Sequence, residues 1–280
     1  MRLGIHVRIA GGLVKSLKRA EALGCEAIQL FSGNPNSWTR RPVDVAAAAD
    51  FTAKAAELNI HPIILHTPYL LNLASPDDTI WNKSVDALYD AVERAPVMGA
   101  DYIVTHIGSH KGSGYEAGIR RIAKAVRQAL EAAPQPTIAL EMGSGAGDTI
   151  GFRFEHIADI IHEIGEPSDR VGLCIDTAHL WGAGYDISDK TGVGDMFDLL
   201  KRHVGLSRLK VIHFNDTEVE LDSRRDRHFH IGKGNVGIRG FRAILNCPDI
   251  SHLPAIIETP AGQTLEEDHK NLATLRSLYE

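Results

Sequence analysis

The chain has 280 residues, a formal net charge of -6 and 44% hydrophobic residues. That length suits one α/β barrel with a large core, and the acidic balance by itself argues against nonspecific binding to nucleic acid. No apolar run approaches the ~18 residues of a membrane span, the residues after Met1 and Arg2 lack the apolar core of a signal peptide, and Cys25, Cys174 and Cys247 show no paired spacing, which points to a reducing cytoplasm rather than a disulfide framework.

From the N-terminus, short β-branched runs alternate with segments of helical period. Strand 3–7 precedes helix 14–23, strand 27–31 precedes helix 45–58, strand 62–66 precedes helix 80–98, and strand 102–106 precedes helix 115–132. The second half repeats this with strand 137–141 and helix 154–164, strand 171–176 and helix 196–204, strand 209–214 and helix 238–245, and strand 255–258 and helix 265–278. Eight strand–helix units without a linker or a change in composition predict a single (β/α)8 TIM barrel over residues 1–280. A doubly wound sheet is the alternative, but it needs fewer strands and a phosphate-binding glycine loop. Gly143-Ser-Gly145-Ala-Gly147 lacks that spacing and reads as a flexible loop, and no P-loop signature occurs.

Six consecutive strands end in a residue that can bind a metal: His66, His106, Glu141, Asp176, His213 and Glu258. A polar strand end is ordinarily a hydrogen-bonded cap. Yet His, Asp and Glu fill only 50 of 280 positions, so six in a row is a remote coincidence. The C-terminal ends of barrel strands meet at one mouth, where such a set without cations would repel itself. His179, three residues past Asp176, and the Asp226-Arg-His228 pair add three loop candidates. Nine N/O donors without a thiolate suit zinc or manganese and exceed what one ion needs, so two or three metals are expected. Fourteen histidines, about twice the ordinary share, fit that expectation.

Other residues carry less. Cys174 shares the strand parity of Asp176 and reads as inert barrel core. His61, His156, His162, His203, His252 and His269 read as surface or capping residues, whereas His6, His110 and His230 can support ligands from behind. Arg8, Arg40, Arg41, Lys111, Arg224, Arg225, Arg227 and Lys233 fall on loops at the mouth, where a basic rim suits a phosphate-bearing substrate.

With these residues assembled, the chain resembles the endonuclease IV family of apurinic/apyrimidinic (AP) endonucleases from end to end. The resemblance rests on His6-Val7 with Gly11-Gly12-Leu13, on His66-Thr-Pro-Tyr69-Leu70-Leu71-Asn72-Leu73, and on His106-Ile-Gly108-Ser109-His110. It continues through Cys174-Ile-Asp176-Thr-Ala-His179, Gly184-Tyr185-Asp186, His213-Phe-Asn215-Asp216, the stretch from Asp226 to Gly237, and Glu258-Thr259-Pro260. It implies three Zn²⁺ per chain, with Mn²⁺ an alternative at one position. One ion falls to His66, His106 and Glu141; a second to Glu141, Asp176, His213 and Glu258; a third to His179, Asp226 and His228. Three dications against four carboxylates leave the filled mouth at about +2, which removes the objection from net charge.

The implied activity is hydrolysis of the DNA phosphodiester 5′ to an abasic site, leaving a 3′-hydroxyl and a 5′-deoxyribose phosphate. Glu141 and Glu258 would be its catalytic carboxylates, with Glu258 orienting or deprotonating the attacking water. The partner would be double-stranded DNA containing abasic sites, met by a cytoplasmic monomer with no membrane contact. Tyr69 and Leu70 match the family's minor-groove wedge; Asn36, His110 and Arg227 are further candidate DNA contacts. Asn36 stands where many relatives carry an arginine, Glu218 where lysine is common, and Ala178 replaces a frequent cysteine. Two other readings compete: a metal-dependent sugar isomerase or epimerase on the same barrel, and a catalytically silent abasic-DNA binding protein. The first leaves His179, Asp226, His228, Tyr69 and Leu70 unexplained, and the second requires a lost ligand.

Overall fold

Eight parallel strands pair in sequence order and close on themselves, because β1 (Arg2–His6) bonds to both β2 (Ala27–Phe31) and β8 (Pro254–Ile257). Between them run β3 (Ile63–His66), β4 (Ala100–His106), β5 (Thr137–Glu141), β6 (Val171–Asp176) and β7 (Leu209–His213). This computed structural model describes residues 1–9, 11–260, 262 and 264–280. The strands are near-continuous aliphatic runs, as strands buried on both faces must be. Around them pack α1 (Leu13–Ala22), α2 (Val45–Glu57), α3 (Asp78–Val97), α4 (Tyr115–Leu130), α5 (Phe154–Ile164), α6 (Thr177–Gly182), α7 (Lys190–His203), α8 (Gly237–Leu245) and α9 (Glu266–Arg276). In α4 the buried side chains Ile119, Ile122, Ala123, Val126 and Leu130 make one stripe against the barrel.

The barrel interior is a separate apolar layer of Ala27, Ile64, Val104, Ala139, Cys174, Val211 and Ile256, with Tyr102 against it. Side chains in a strand alternate faces, so the next inward position toward each C-terminus is two residues on. Those positions are Gln29, His66, His106, Glu141, Asp176, His213 and Glu258; on β1, His6 stands in the same relation to Gly4. One step along every strand therefore turns an apolar core into a polar floor, and the fold makes that switch once, at the mouth.

Gly4 has a packing reason. A Cβ there would lie 1.9 Å from the Ala27 carbonyl oxygen and 3.1 Å from Ile256 Cδ1. Gly4→Ala must push β1 away from β2, and is expected to destabilise the chain by about 3 kcal/mol. A denaturant midpoint unchanged within error would refute that account.

Two helical segments differ from the sequence expectation. α6 was not anticipated, and α7 begins at Lys190 rather than 196. Asp176 caps α6, its Oδ1 accepting from the Ala178 and His179 amides, and Asp189 caps α7 through Thr191 and Gly192. The glycine run, 143–147, expected to be a flexible loop, is held down at its start: Gly143 N bonds Gly151 O and Ser144 is buried.

Candidate metal centre

The strand register sets the site before any side chain is considered. His106 lies opposite Glu141, and Asp176 opposite His213, so adjacent strands deliver imidazole beside carboxylate. His66, Glu141, Asp176, His179 and His213 are buried, while His106, His228 and Glu258 are partly open to the mouth and Asp226 is exposed above them.

Glu141 is the hub. Its Oε2 lies 3.1 Å from His66 Nε2 and 3.2 Å from His106 Nε2; its Oε1 lies 3.2 Å from His213 Nδ1 and 3.5 Å from His179 Nδ1. His213 Nδ1 is also 3.2 Å from Glu258 Oε2 and 3.9 Å from Asp176 Oδ2. Across the mouth, His228 Nε2 lies 3.4 Å from both Asp176 Oδ2 and Asp226 Oδ1, and His179 Nε2 lies 3.1 Å from Asp226 Oδ2. Three groups have donor atoms within 4.8 Å of one another: His66, His106 and Glu141; Glu141, Asp176, His213 and Glu258; Asp176, His179 and His228. All nine sequence candidates thus meet at one mouth, and Asp226 joins through His179 and His228.

The backbone decides which ring nitrogens face inward. His66 Nδ1 donates to Thr67 O at 2.6 Å, His179 Nδ1 to Met142 O at 2.9 Å, and His228 Nδ1 to Glu258 O at 3.1 Å. A carbonyl only accepts, so each Nδ1 carries a proton, and each Nε2 is the nitrogen left to share a cation, a metal ion or a second proton, with the carboxylate oxygens. The buried His179 Nε2 and His228 Nε2 have no hydrogen-bond partner among the described residues, although both lie close to carboxylates. Lone pairs aimed at anions repel unless a cation lies between them, and a hard N/O set with its second nitrogens anchored is the chemistry of a divalent-metal site. The residues fit such ions, and the cluster can bind divalent metal.

The titration of these groups carries the same message. Burial opposes charge on His179 and His213, yet both are raised well above the ordinary histidine value, His179 by Asp176 and Asp226 and His213 by Cys174, Glu258 and Glu141. Against the same burial, His106 holds Glu141 well below the usual carboxylate range, and His213 does so for Glu258. Burial likewise opposes the ionised form of Asp226, but His179 brings it down to about 2. Without ions, then, the histidines contribute stability that is full below their unfolded value near 6.5 and is lost as pH rises through their raised values. The carboxylates contribute stability present above about 4.5 and lost on acidification. Chelator-treated protein should lose melting temperature as pH rises above 6.5, whereas zinc-loaded protein should gain it as the histidine protons leave. Parallel slopes would rule this out.

Of the expected DNA contacts, Tyr69 is 55% and Leu70 36% exposed, standing over the His66 and His106 edge of the cluster. Phe31 packs edge-on at 5.0 Å, and the Tyr69 amide donates to Pro35 O, so residues 34–38 brace this ridge. Asn36 is exposed in that brace, and Arg227 is exposed beside Asp226. His110 is half-buried, its Nδ1 accepting from the Gly114 amide. Of the expected basic rim, Arg40 and Arg224 are paired with Asp86 and Asp222, while Arg8, Arg41, Lys111, Arg225 and Lys233 are exposed.

Three residues were given no role from the sequence. Gln29 is fully buried in the polar floor, and its strand parity would have found it had amides been counted with the ligands. Asn215, noted only within a motif, donates from Nδ2 to Asp176 Oδ2 at 2.7 Å and accepts the Glu258 amide on Oδ1 at 2.8 Å. Asn72 ties the Tyr69 loop to the next one, accepting the Ser109 amide and donating to its carbonyl. A Cβ on Gly108 (φ 106°) would lie 2.2 Å from Asn72 Oδ1, so only glycine suits that contact.

Comparison with known proteins places this arrangement. A family profile for the xylose isomerase-like TIM barrel matches residues 17–278. The probable endonuclease 4 of Chloroflexus aggregans is 44% identical over 279 residues, covering 99% of this chain and 97% of that protein. The probable endonuclease 4 of Halothermothrix orenii is 39% identical, covering 99% of each. The crystal structure of endonuclease IV from Thermus thermophilus superposes with a TM-score of 0.86 at 33% identity, over 99% of this chain and 98% of that one. A D-tagatose 3-epimerase-like protein reaches a TM-score of 0.76 at 18% identity, a likeness of fold alone. With identity at this level running the whole length of both chains, and not merely a shared barrel, the chain belongs to the endonuclease IV family of AP endonucleases.

Proposed function

We propose that this chain cleaves double-stranded DNA on the 5′ side of abasic sites with three zinc ions, leaving a 3′-hydroxyl and a 5′-deoxyribose phosphate. The observation that carries the reading is the set of anchored imidazoles whose inward nitrogens, His179 Nε2 and His228 Nε2 among them, face carboxylates without a partner. His66, His106 and Glu141 would hold one ion, Asp176, His213 and Glu258 with Glu141 a second, and His179, Asp226 and His228 the third. Bound there, the ions would supply positive charge for the phosphate oxygens and make water a nucleophile near neutral pH.

The chain's own groups have separate tasks. Glu258 is held by His6 Nδ1 at 2.8 Å and Gln29 Nε2 at 2.7 Å on Oε1, which leaves Oε2 to the mouth. Ionised and fixed, it orients the attacking water as an acceptor. Glu141 spans the first two ligand groups, and the distances from its two oxygens fit that position. Tyr69 and Leu70 form an exposed aromatic–aliphatic ridge suited to wedging into the minor groove, and a nucleotide without a base is cheap to extrude. Asn36, His110 and Arg227 would meet the DNA around that ridge. The chain would act as one domain, as a monomer, in the cytoplasm; no helix among the described residues is long and apolar enough to cross a membrane.

The test is a duplex with one tetrahydrofuran abasic analogue, incubated with zinc-loaded protein and with EDTA-treated protein. A single EDTA-sensitive nick 5′ to the lesion is expected. Tight binding without a nick would favour a silent binder, and an intact duplex together with EDTA-sensitive sugar isomerisation would favour the epimerase reading.

A further inference from the structure

The polar floor contains one uncharged side chain that meets two of its charged members. Gln29 on β2 is fully buried; its Nε2 donates to Glu258 Oε1 at 2.7 Å, and its Oε1 lies 2.8 Å from His213 Nε2. The amide can turn either way, so its partners determine its orientation. Glu258 is an ionised carboxylate and accepts only, which forces the amide nitrogen toward it. The amide oxygen must then face His213, and an oxygen also accepts only, so His213 carries its proton on Nε2. With a metal ion in place of the second proton, the lone pair of His213 is thereby left on Nδ1, the nitrogen 3.2 Å from both Glu141 and Glu258.

For His66, His179 and His228 a backbone carbonyl performs this task. Among the described residues His213 has no such carbonyl on Nε2, and in its place stands a side chain from a strand outside the set of candidate ligands. His6 completes the arrangement. Its Nδ1 lies 2.8 Å from the same Glu258 Oε1, and a carboxylate oxygen accepts, so the ring donates from Nδ1 there. Two donors on one oxygen fix Glu258 with its other oxygen toward His213.

We propose that Gln29 is a positioning residue which transmits the polarity of Glu258 to the tautomer of His213, setting the nitrogen that binds metal. This rests on the metal reading above. Gln29→Met keeps length and volume but neither donates nor accepts usefully, whereas Gln29→Glu keeps an acceptor for His213 and loses the obligate donor to Glu258. In zinc-loaded protein with ¹⁵N-labelled histidine, the parent and Gln29→Glu should show His213 protonated on Nε2, and Gln29→Met should lose that signature. Zinc affinity, read by chelator competition, and kcat on the abasic duplex should each fall about 10- to 100-fold in Gln29→Met, with KM little changed.

A Gln29→Met protein that keeps kcat and zinc affinity within twofold overturns the proposal. So does one that only melts earlier with full metal content, because that is a packing role. If Gln29→Met does not fold, Gln29→Glu decides: loss of the Nε2-protonated signature there overturns the tautomer argument. A parent chain that binds no divalent ion overturns the metal reading itself, a result distinct from a normal parent with an indifferent variant.

Discussion

Glu141→Gln is expected to lower kcat/KM on an abasic duplex by at least about 1,000-fold, or about 4 kcal/mol of transition-state stabilisation. The side chain keeps its shape, so the effect isolates charge and donor chemistry. Both Glu141 oxygens are in use: Oε2 faces His66 and His106, Oε1 faces His213 and His179. An amide offers one acceptor where two are needed and aims N–H groups at ring nitrogens that should hold an ion. The two ion positions that share this residue should weaken together, so metal per chain falls with activity. The fold should survive, because His66 and His179 keep their carbonyl anchors and His213 keeps Gln29. Nicking within tenfold of the parent, at full metal content, would mean that Glu141 is not shared between ions.

The barrel was legible because its strands are short aliphatic runs between amphipathic helices, and β2, β5 and β6 begin and end where the alternation places them. The meeting of the candidate ligands at the mouth was legible for a related reason. Inward parity is fixed by the period of two, so a His, Asp or Glu at the last inward position has to face the mouth. What sequence could not supply lay at two other levels. Gln29 has the same parity as the ligands but the wrong chemistry for a search restricted to titratable groups. The early start of α7 was hidden by Gly192 and Gly194, poor helix formers. Gly192 is there because a Cβ would come within 1.8 Å of the Asp186 carbonyl oxygen, a tertiary contact invisible in the local pattern. Similarly, α6 is one and a half turns long and is set by Asp176, a residue already assigned to metal, acting also as a cap.

Asp216→Ala should be the most damaging single change outside the ligand set, at about 4 kcal/mol of stability together with loss of activity. Among the described residues the Asp216 carboxylate bonds backbone amides and no candidate ligand side chain, so ligand chemistry does not predict this. Its buried carboxylate accepts five backbone amides: Thr217 and Val236 at 2.9 and 3.0 Å and Gly237 at 3.5 Å on Oδ1, and Gly232 and Gly234 at 2.9 Å on Oδ2. Its own carbonyl accepts the Phe229 amide at 2.6 Å. The loop between β7 and α8 is long, carries Asp226 and His228, and is closed at its base by this side chain, with Asn235 bonded to the Thr217 and Val219 carbonyls beside it. A Cβ on Gly234 would lie 2.5 Å from Asp216 Oδ1, so the glycine exists to let the backbone reach the carboxylate. Alanine leaves these buried and half-buried amides without the carboxylate and releases the loop from its anchor. The effect should be local before it is global: amide exchange should quicken across 226–237, and Asp226 and His228 should lose their hold on metal while His66, His106 and Glu141 keep theirs. Exchange, melting and metal content measured on one preparation would separate these steps. A variant with parental exchange in that loop would show that the loop is held by its flanking contacts alone.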